Sequence, residues 1–158
     1  MRDIVLTRID DRLIHGQVVT AWVKQTNGNR ILIVDEALVK DVFMQKVLKT
    51  AAPPGISVEV HCVADAAELL KGEAVKGEKI IILVKTPQPL EALLDAGVEL
   101  KTIVLGGMGL KAGRKKFYKN ISASDDEVAC MKRIIEKGTS IVAQMVPDER
   151  AFDISKLT

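Results

Sequence analysis

Short, continuously apolar runs alternate with longer mixed stretches along the whole chain. Ile4-Val5-Leu6, Arg30-Ile31-Leu32-Ile33-Val34, Lys79 to Val84 and Thr102 to Leu105 read as strands, and their unbroken apolar character suits a sheet covered on both faces. Lys79 to Val84 is the most apolar of them and is expected at the sheet's centre. Ile56 to His61 alternates instead, as a strand nearer an edge does. Helical spacing fills the gaps: Gln17 to Gln25, with Val18, Ala21, Trp22 and Gln25 along one side, then Asp41 to Thr50, Ala64 to Leu70 and Pro89 to Ala96. Ser124-Asp125-Asp126-Glu127 reads as a capping box opening a helix to Glu136. Asn27-Gly28-Asn29, Ala51 to Gly55, Gly72 to Gly77, Gly97 and Gly138 punctuate the pattern. Ile121 to Ala123 is a short strand, Ser140 to Val146 a last one, and Pro147-Asp148-Glu149 starts a short terminal helix. This order predicts a single α/β domain over residues 1–158: a mostly parallel open β-sheet with helices on both faces.

Composition narrows the function classes. Hydrophobic residues make up 47% of 158, enough for one folded core. A net charge of +2 and 3% aromatics give no footprint for nucleic acid. Cys62 and Cys130 form no close-spaced motif and read as reduced thiols of a cytoplasmic protein, although their separation does not forbid a disulfide. Met1-Arg2-Asp3 runs into the first strand without a leader pattern, and no apolar run can cross a bilayer. Direct membrane insertion is therefore not expected.

The chemistry concentrates in Thr7-Arg8-Ile9-Asp10-Asp11-Arg12-Leu13-Ile14-His15-Gly16-Gln17, read as a strand-to-helix loop, the usual place for a site on an α/β domain. A neutral imidazole is a nucleophile near pH 7. Arg8 and Arg12 offer planar forks for phosphate oxygens. Gly16, Gln17 and the helix start add backbone N–H groups. Asp10 or Asp11 can accept from the other ring nitrogen and fix the tautomer. These parts suit transient phosphorylation of His15. The same residues also fit a solvated loop with surface ion pairs. No histidine or cysteine lies nearby at metal-ligand spacing, so no metal and no cofactor is expected.

Arg8 to Val18 resembles the active-site loop of IIB components of the mannose/fructose/sorbose class of the bacterial phosphoenolpyruvate-dependent sugar phosphotransferase system. Gly106-Gly107-Met108, Ala52-Pro53-Pro54-Gly55 and Lys85-Thr86-Pro87 extend the resemblance over nearly the whole chain. It implies that His15 is the phosphorylated histidine, that Arg12 steadies the phosphoryl group, and that Asp10 lines the loop. It implies a protein-phosphohistidine–sugar phosphotransferase with a phosphorylated IIA component as donor. Membrane IIC/IID components would present the sugar and would be the chain's only route to the membrane. The sugar stays open among mannose, fructose, sorbose and N-acetylgalactosamine. Two other classes are an anion-sensing binding module using the same loop and a hydrolase with His15 as base; the latter lacks a serine or cysteine beside the loop.

Secondary candidates are weaker on their residues alone. Thr86 can hydrogen-bond a phosphate or cap the following helix; the family often carries a hydroxyl near here. Asp35 can cap a helix, the favoured reading, or approach the His15 loop. Trp22 reads as packing behind the site. His61, beside Glu59, reads as a half-exposed strand residue. Gly106 to Lys116 reads as a glycine-rich turn or anion loop, and its Lys/Arg cluster as a solvated surface or a dock for an acidic partner.

Overall fold

The computed structural model describes residues 1–158. Its main sheet is built from β1 (Ile4–Asp10), β2 (Arg30–Val34), β3 (Ser57–His61), β4 (Ile80–Val84), β5 (Thr102–Gly107), β8 (Ser140–Ala143) and β9 (Phe152–Asp153), in the order β3-β2-β4-β1-β5-β8-β9. All neighbours are parallel except β8 and β9. A separate hairpin pairs β6 (Lys115–Tyr118) with β7 (Ile121–Ala123). The α/β class and the mostly parallel sheet are as the alternation predicts. As the hydropathy predicts, β4 is central and wholly buried, and β3 is an edge.

Two helices, α1 (Gly16–Thr26) and α2 (Val42–Ala51), share one face of the sheet. Trp22, Val19 and Leu48 join Leu6, Ile31, Ile33 and Leu83 there in one buried cluster. The other face carries α3 (Val63–Lys71), α4 (Gln88–Asp95) and α5 (Asp125–Glu136), packed on Ile9, Leu32, Ile82 and Leu105. The chain leaves β1 for β2 on one side and later reaches β5 on the other. β1 therefore ends at the point where crossovers diverge, the crevice where open parallel sheets bind ligands.

Several boundaries differ from the sequence reading, each for a local reason. β1 runs on to Asp10, because Arg8 to Asp10 pair with β5 through a register shift at Asp10, opposite Gly107. The buried side of α1 is Val19 and Trp22; Val18, Ala21 and Gln25 line an open groove beside residues 146–148. Gly106 and Gly107 complete β5 and are not in a loop. Lys115 and Lys116 open a strand that charge had masked. Residues 147–149 form no terminal helix: Gln144 Nε2 donates to the carbonyls of Pro147 and Glu149, and the Met145 amide donates to Glu149, so these backbone groups are held in a turn. The chain ends instead in β9 and a 3-10 turn over Ile154–Leu157. Asp35 does not cap α2, whose cap is Asp41; it accepts from the amides of Ala37 and Leu38 and shapes the turn that leads into the 3-10 turn at Leu38–Lys40. Both cysteines are free. Cys62 accepts from the Asp65 amide at the start of α3, and burial pushes the Cys130 thiol up to about 12.

Candidate active site

The loop between β1 and α1 is five residues long, Asp11 to His15, and its backbone is unusual. Leu13 has φ +57° and Gly16 has φ +46°, the left-handed region. A leucine is held there only when surrounding contacts over-determine it. Leu13 and Ile14 are buried under α1 and act as the loop's apolar anchor. The amides of Asp11 and Leu13 donate to the carbonyls of Gly107 and Asp10 at 3.0 and 2.9 Å.

His15 is the residue immediately before α1. Its backbone is extended, and no side chain caps the helix start. The first turn also holds no acid, so its amide groups and positive dipole end stay free beside the imidazole. The ring's Nε2 lies 3.0 Å from Asp10 Oδ2, and the His15 side chain is 22% exposed while that of Asp10 is 1%. Of the two carboxylates offered by the sequence, Asp10 therefore holds the ring. Asp10 Oδ1 also accepts from the Arg12 amide at 3.1 Å. The Arg12 guanidinium touches the same oxygen only at 3.5 Å, and its side chain is 54% exposed, free to turn toward a bound anion. A recess of ≈ 330 Å³ opens beside Arg12 and Asp11, floored by Gly106, Gly107 and Met145.

Arg8 stands behind this front. Its side chain is 2% exposed; Nη1 donates to the Gln144 carbonyl at 2.9 Å and Nη2 reaches Asp10 Oδ2 at 3.4 Å. The guanidinium carbon lies 5.3 Å from the centroid of the Trp22 ring, whose Nε1 donates to the Met145 carbonyl. Burial presses the Arg8 pKa below its ordinary value and the Asp10 charge opposes that shift, so the guanidinium remains the buried counter-charge of Asp10. The order from inside to outside is Arg8, Asp10, His15.

The glycines opposite have a packing reason. A Cβ on Gly106 would meet the Arg8 guanidinium at 2.1 Å, and one on Gly107 would meet Asp10 Oδ1 at 3.1 Å. Sequence reasoning treated this pair as a turn or an anion loop. Its visible signal was two small residues at the end of a strand beside a strand carrying Arg and Asp at alternate positions.

The remaining candidates are placed as follows. Gly16 and Gln17 lie exposed in the first turn of α1. Thr86 is half-buried beyond the end of β4, where its hydroxyl makes no hydrogen bond. His61 is on the edge strand with Glu59, away from the loop. Arg114, read as part of a solvated cluster, is buried and bonded to Glu127 and Asp11.

The sequence model of the family described as "PTS system sorbose subfamily IIB component" matches residues 4–158. The chain is 35% identical over 151 residues to the sorbose-specific EIIB component of Lacticaseibacillus casei, covering 96% of this chain and 92% of that protein. It is 32% identical over 143 residues to the mannose-specific EIIAB component of Escherichia coli K12, covering 90% of this chain and 44% of that longer protein. The crystal structure of the IIBSor domain of the Klebsiella pneumoniae sorbose permease superposes with a TM-score of 0.92 at 30% identity, covering 98% of this chain and 94% of that one.

Proposed function

The chain belongs to the sorbose subfamily of IIB components of the sugar phosphotransferase system, and from that membership we propose that it relays a phosphoryl group through Nδ1 of His15. The observation that carries this reading is the pairing of His15 Nε2 with the buried Asp10, which leaves Nδ1 as the ring's open nitrogen. With Nε2–H donated to Asp10, the lone pair sits on Nδ1.

A phosphorylated IIA component is the donor. The Nδ1 lone pair attacks phosphorus in line, and the bond from phosphorus to the donor group of IIA breaks, the donor leaving with that electron pair. As the new N–P bond forms, the ring gains positive character, and Asp10 stabilises it as a carboxylate does an imidazolium. Charge on the three equatorial oxygens meets Arg12 and the free amides at the start of α1. Arg8 is the buried counter-charge that keeps Asp10 aimed. The acceptor is a sugar hydroxyl presented by IIC/IID membrane components. No helix of this chain is long and apolar enough to cross a membrane; in the relay reading those partners bring it to the membrane. Mannose, fructose, sorbose and N-acetylgalactosamine are the sugar candidates.

The test is intact mass after incubation with phosphoenolpyruvate, the two general proteins of the system and a IIA component. The expected result is a gain of one phosphate that acid removes. No gain while the IIA component is itself phosphorylated would refute the relay.

A further inference from the structure

One buried side chain near the loop is unused in that mechanism. Arg114 follows the turn at Gly113 (φ +86°) within a run of exposed cations, yet its own side chain is 1% exposed. Its Nε and Nη2 donate to the two oxygens of Glu127 at 2.9 and 2.8 Å. Its Nη1 donates to the Gly109 carbonyl at 2.8 Å and to Asp11 Oδ2 at 3.1 Å. The same Asp11 oxygen accepts from the Gly109 amide at 2.8 Å. Glu127 meanwhile closes the capping box of α5 by accepting from the Ser124 amide. Burial works against the Glu127 charge, but the hydrogen bonds and charge of Arg114 together with the hydrogen bonds from Ser124 outweigh it and hold the carboxyl below its usual range; the Glu127 and Asp11 contacts, against burial, raise Arg114.

We propose that Arg114 is a positioning residue, a clasp that ties the His15 loop through Asp11 to the start of α5 and so fixes Asp10 and Arg12 for phosphoryl transfer. The reasoning is geometric. Asp11 sits between Asp10, which orients the imidazole, and Arg12, which faces the anion. The loop also carries Leu13 in a left-handed conformation that local preference does not supply. Its amide bonds to Gly107 and Asp10 fix the backbone at one edge. The Asp11 side chain provides the second fixed point, and its only partners are Gly109 and Arg114. A fork that engages Glu127 and Asp11 together is a property of guanidinium; an ammonium reaches one or the other. The transfer part of this proposal rests on the relay reading; the clasp itself does not.

Three variants separate positioning from folding. Arg114→Met strands Glu127 as a buried charge, so its loss of stability decides nothing alone. Arg114→Met/Glu127→Met removes both buried charges, and Arg114→Lys keeps one pair. Amide exchange of Asp11 and Gly109, followed by NMR on the full chain, needs no partner and no activity. In Arg114→Met/Glu127→Met the expected result is a cooperatively folded protein whose Asp11 and Gly109 amides exchange at least about tenfold faster, with Arg114→Lys between it and the parent. Transfer from phosphorylated IIA should show kcat lowered by up to about a hundredfold with KM little changed, as for a misplaced reacting group. A folded Arg114→Met/Glu127→Met protein with parental exchange at both amides would overturn the clasp. Fast exchange with parental kcat would overturn its role in transfer. A parent protein that accepts no phosphate would fail the relay reading, while the exchange arm still decides the clasp.

Discussion

The chain's two histidines make nearly the same contact. His15 Nε2 lies 3.0 Å from Asp10, and His61 Nε2 lies 3.1 Å from Glu59, with side-chain exposures of 22% and 23%. What differs is everything around the pair. Asp10 is 1% exposed at the end of a central strand, backed by Arg8 and fronted by Arg12 and an uncapped helix start. Glu59 is 33% exposed on the edge strand, and its oxygens already accept from Arg30 at 2.5 and 2.8 Å. No helix begins at His61; α3 begins two residues later and is capped by Cys62. A histidine–carboxylate pair is therefore not a site in itself. Burial of the carboxylate, and an uncapped helix start next to the ring, separate one from the other.

The first way to break this contrast is to remove each ring. His15→Ala is expected to abolish acid-labile phosphorylation completely, and His61→Ala to leave it at the parental level, both read by intact mass. Phosphate retained in His15→Ala would end the assignment. Asp10→Asn keeps the size of the group and removes its charge. Transfer should fall by about a hundredfold or more, whereas Glu59→Gln should change it by less than about twofold; stopped-flow transfer from phosphorylated IIA measures both. Equal effects of the two would mean that burial of the carboxylate is irrelevant.

Arg12→Ala sharpens the account of the front face. Losing one donor at a charged transition state costs on the order of a hundredfold in kcat. Because the side chain is half exposed, the melting temperature should hardly move. A large drop in melting temperature would instead make Arg12 a structural residue.

The smallest expected effect concerns acid stability at the other histidine. Hydrogen bonds from Arg30, against burial and with help from His61, hold Glu59 below its usual range. A carboxylate with a depressed folded-state pKa adds stability above its unfolded pKa of about 4.3, and that stability is lost as pH falls through the lower folded value. Glu59→Gln should therefore flatten part of the fall in melting temperature below about pH 4, visible in thermal melts on both sides of that pH. An unchanged pH dependence would show that the Arg30 pair contributes nothing measurable, as exposed pairs often do.

Much of this architecture was legible in the residues, for identifiable reasons. Apolar runs such as Ile80–Val84 fix central strands because a sheet covered on both faces tolerates nothing else. The capping box at Ser124 is a local hydrogen-bond pattern readable without tertiary information. His15, Asp10 and Arg12 stand close in sequence and close in space. Relations between distant segments were not legible. Nothing near Arg8 says that Gly106 will lie against its guanidinium, because the two meet only through β1–β5 pairing. Arg114 sat among lysines and read as surface, yet Glu127 and Asp11 draw it inward from 13 and 103 residues away. Residues 147–149 looked like a helix start, but side chains of Gln144 and Glu149 satisfied the backbone first.

The central claim is that His15 carries the phosphoryl group and carries it on Nδ1, because Nε2 belongs to Asp10. Long-range proton–nitrogen NMR of the ¹⁵N-labelled chain, before and after phosphorylation by IIA, reads both points at once in a spectrum with two imidazoles. The account predicts that the His15 Nδ1 resonance alone acquires coupling to phosphorus, with Nε2 still protonated and His61 unchanged. Phosphorus on Nε2, or on His61, would contradict it.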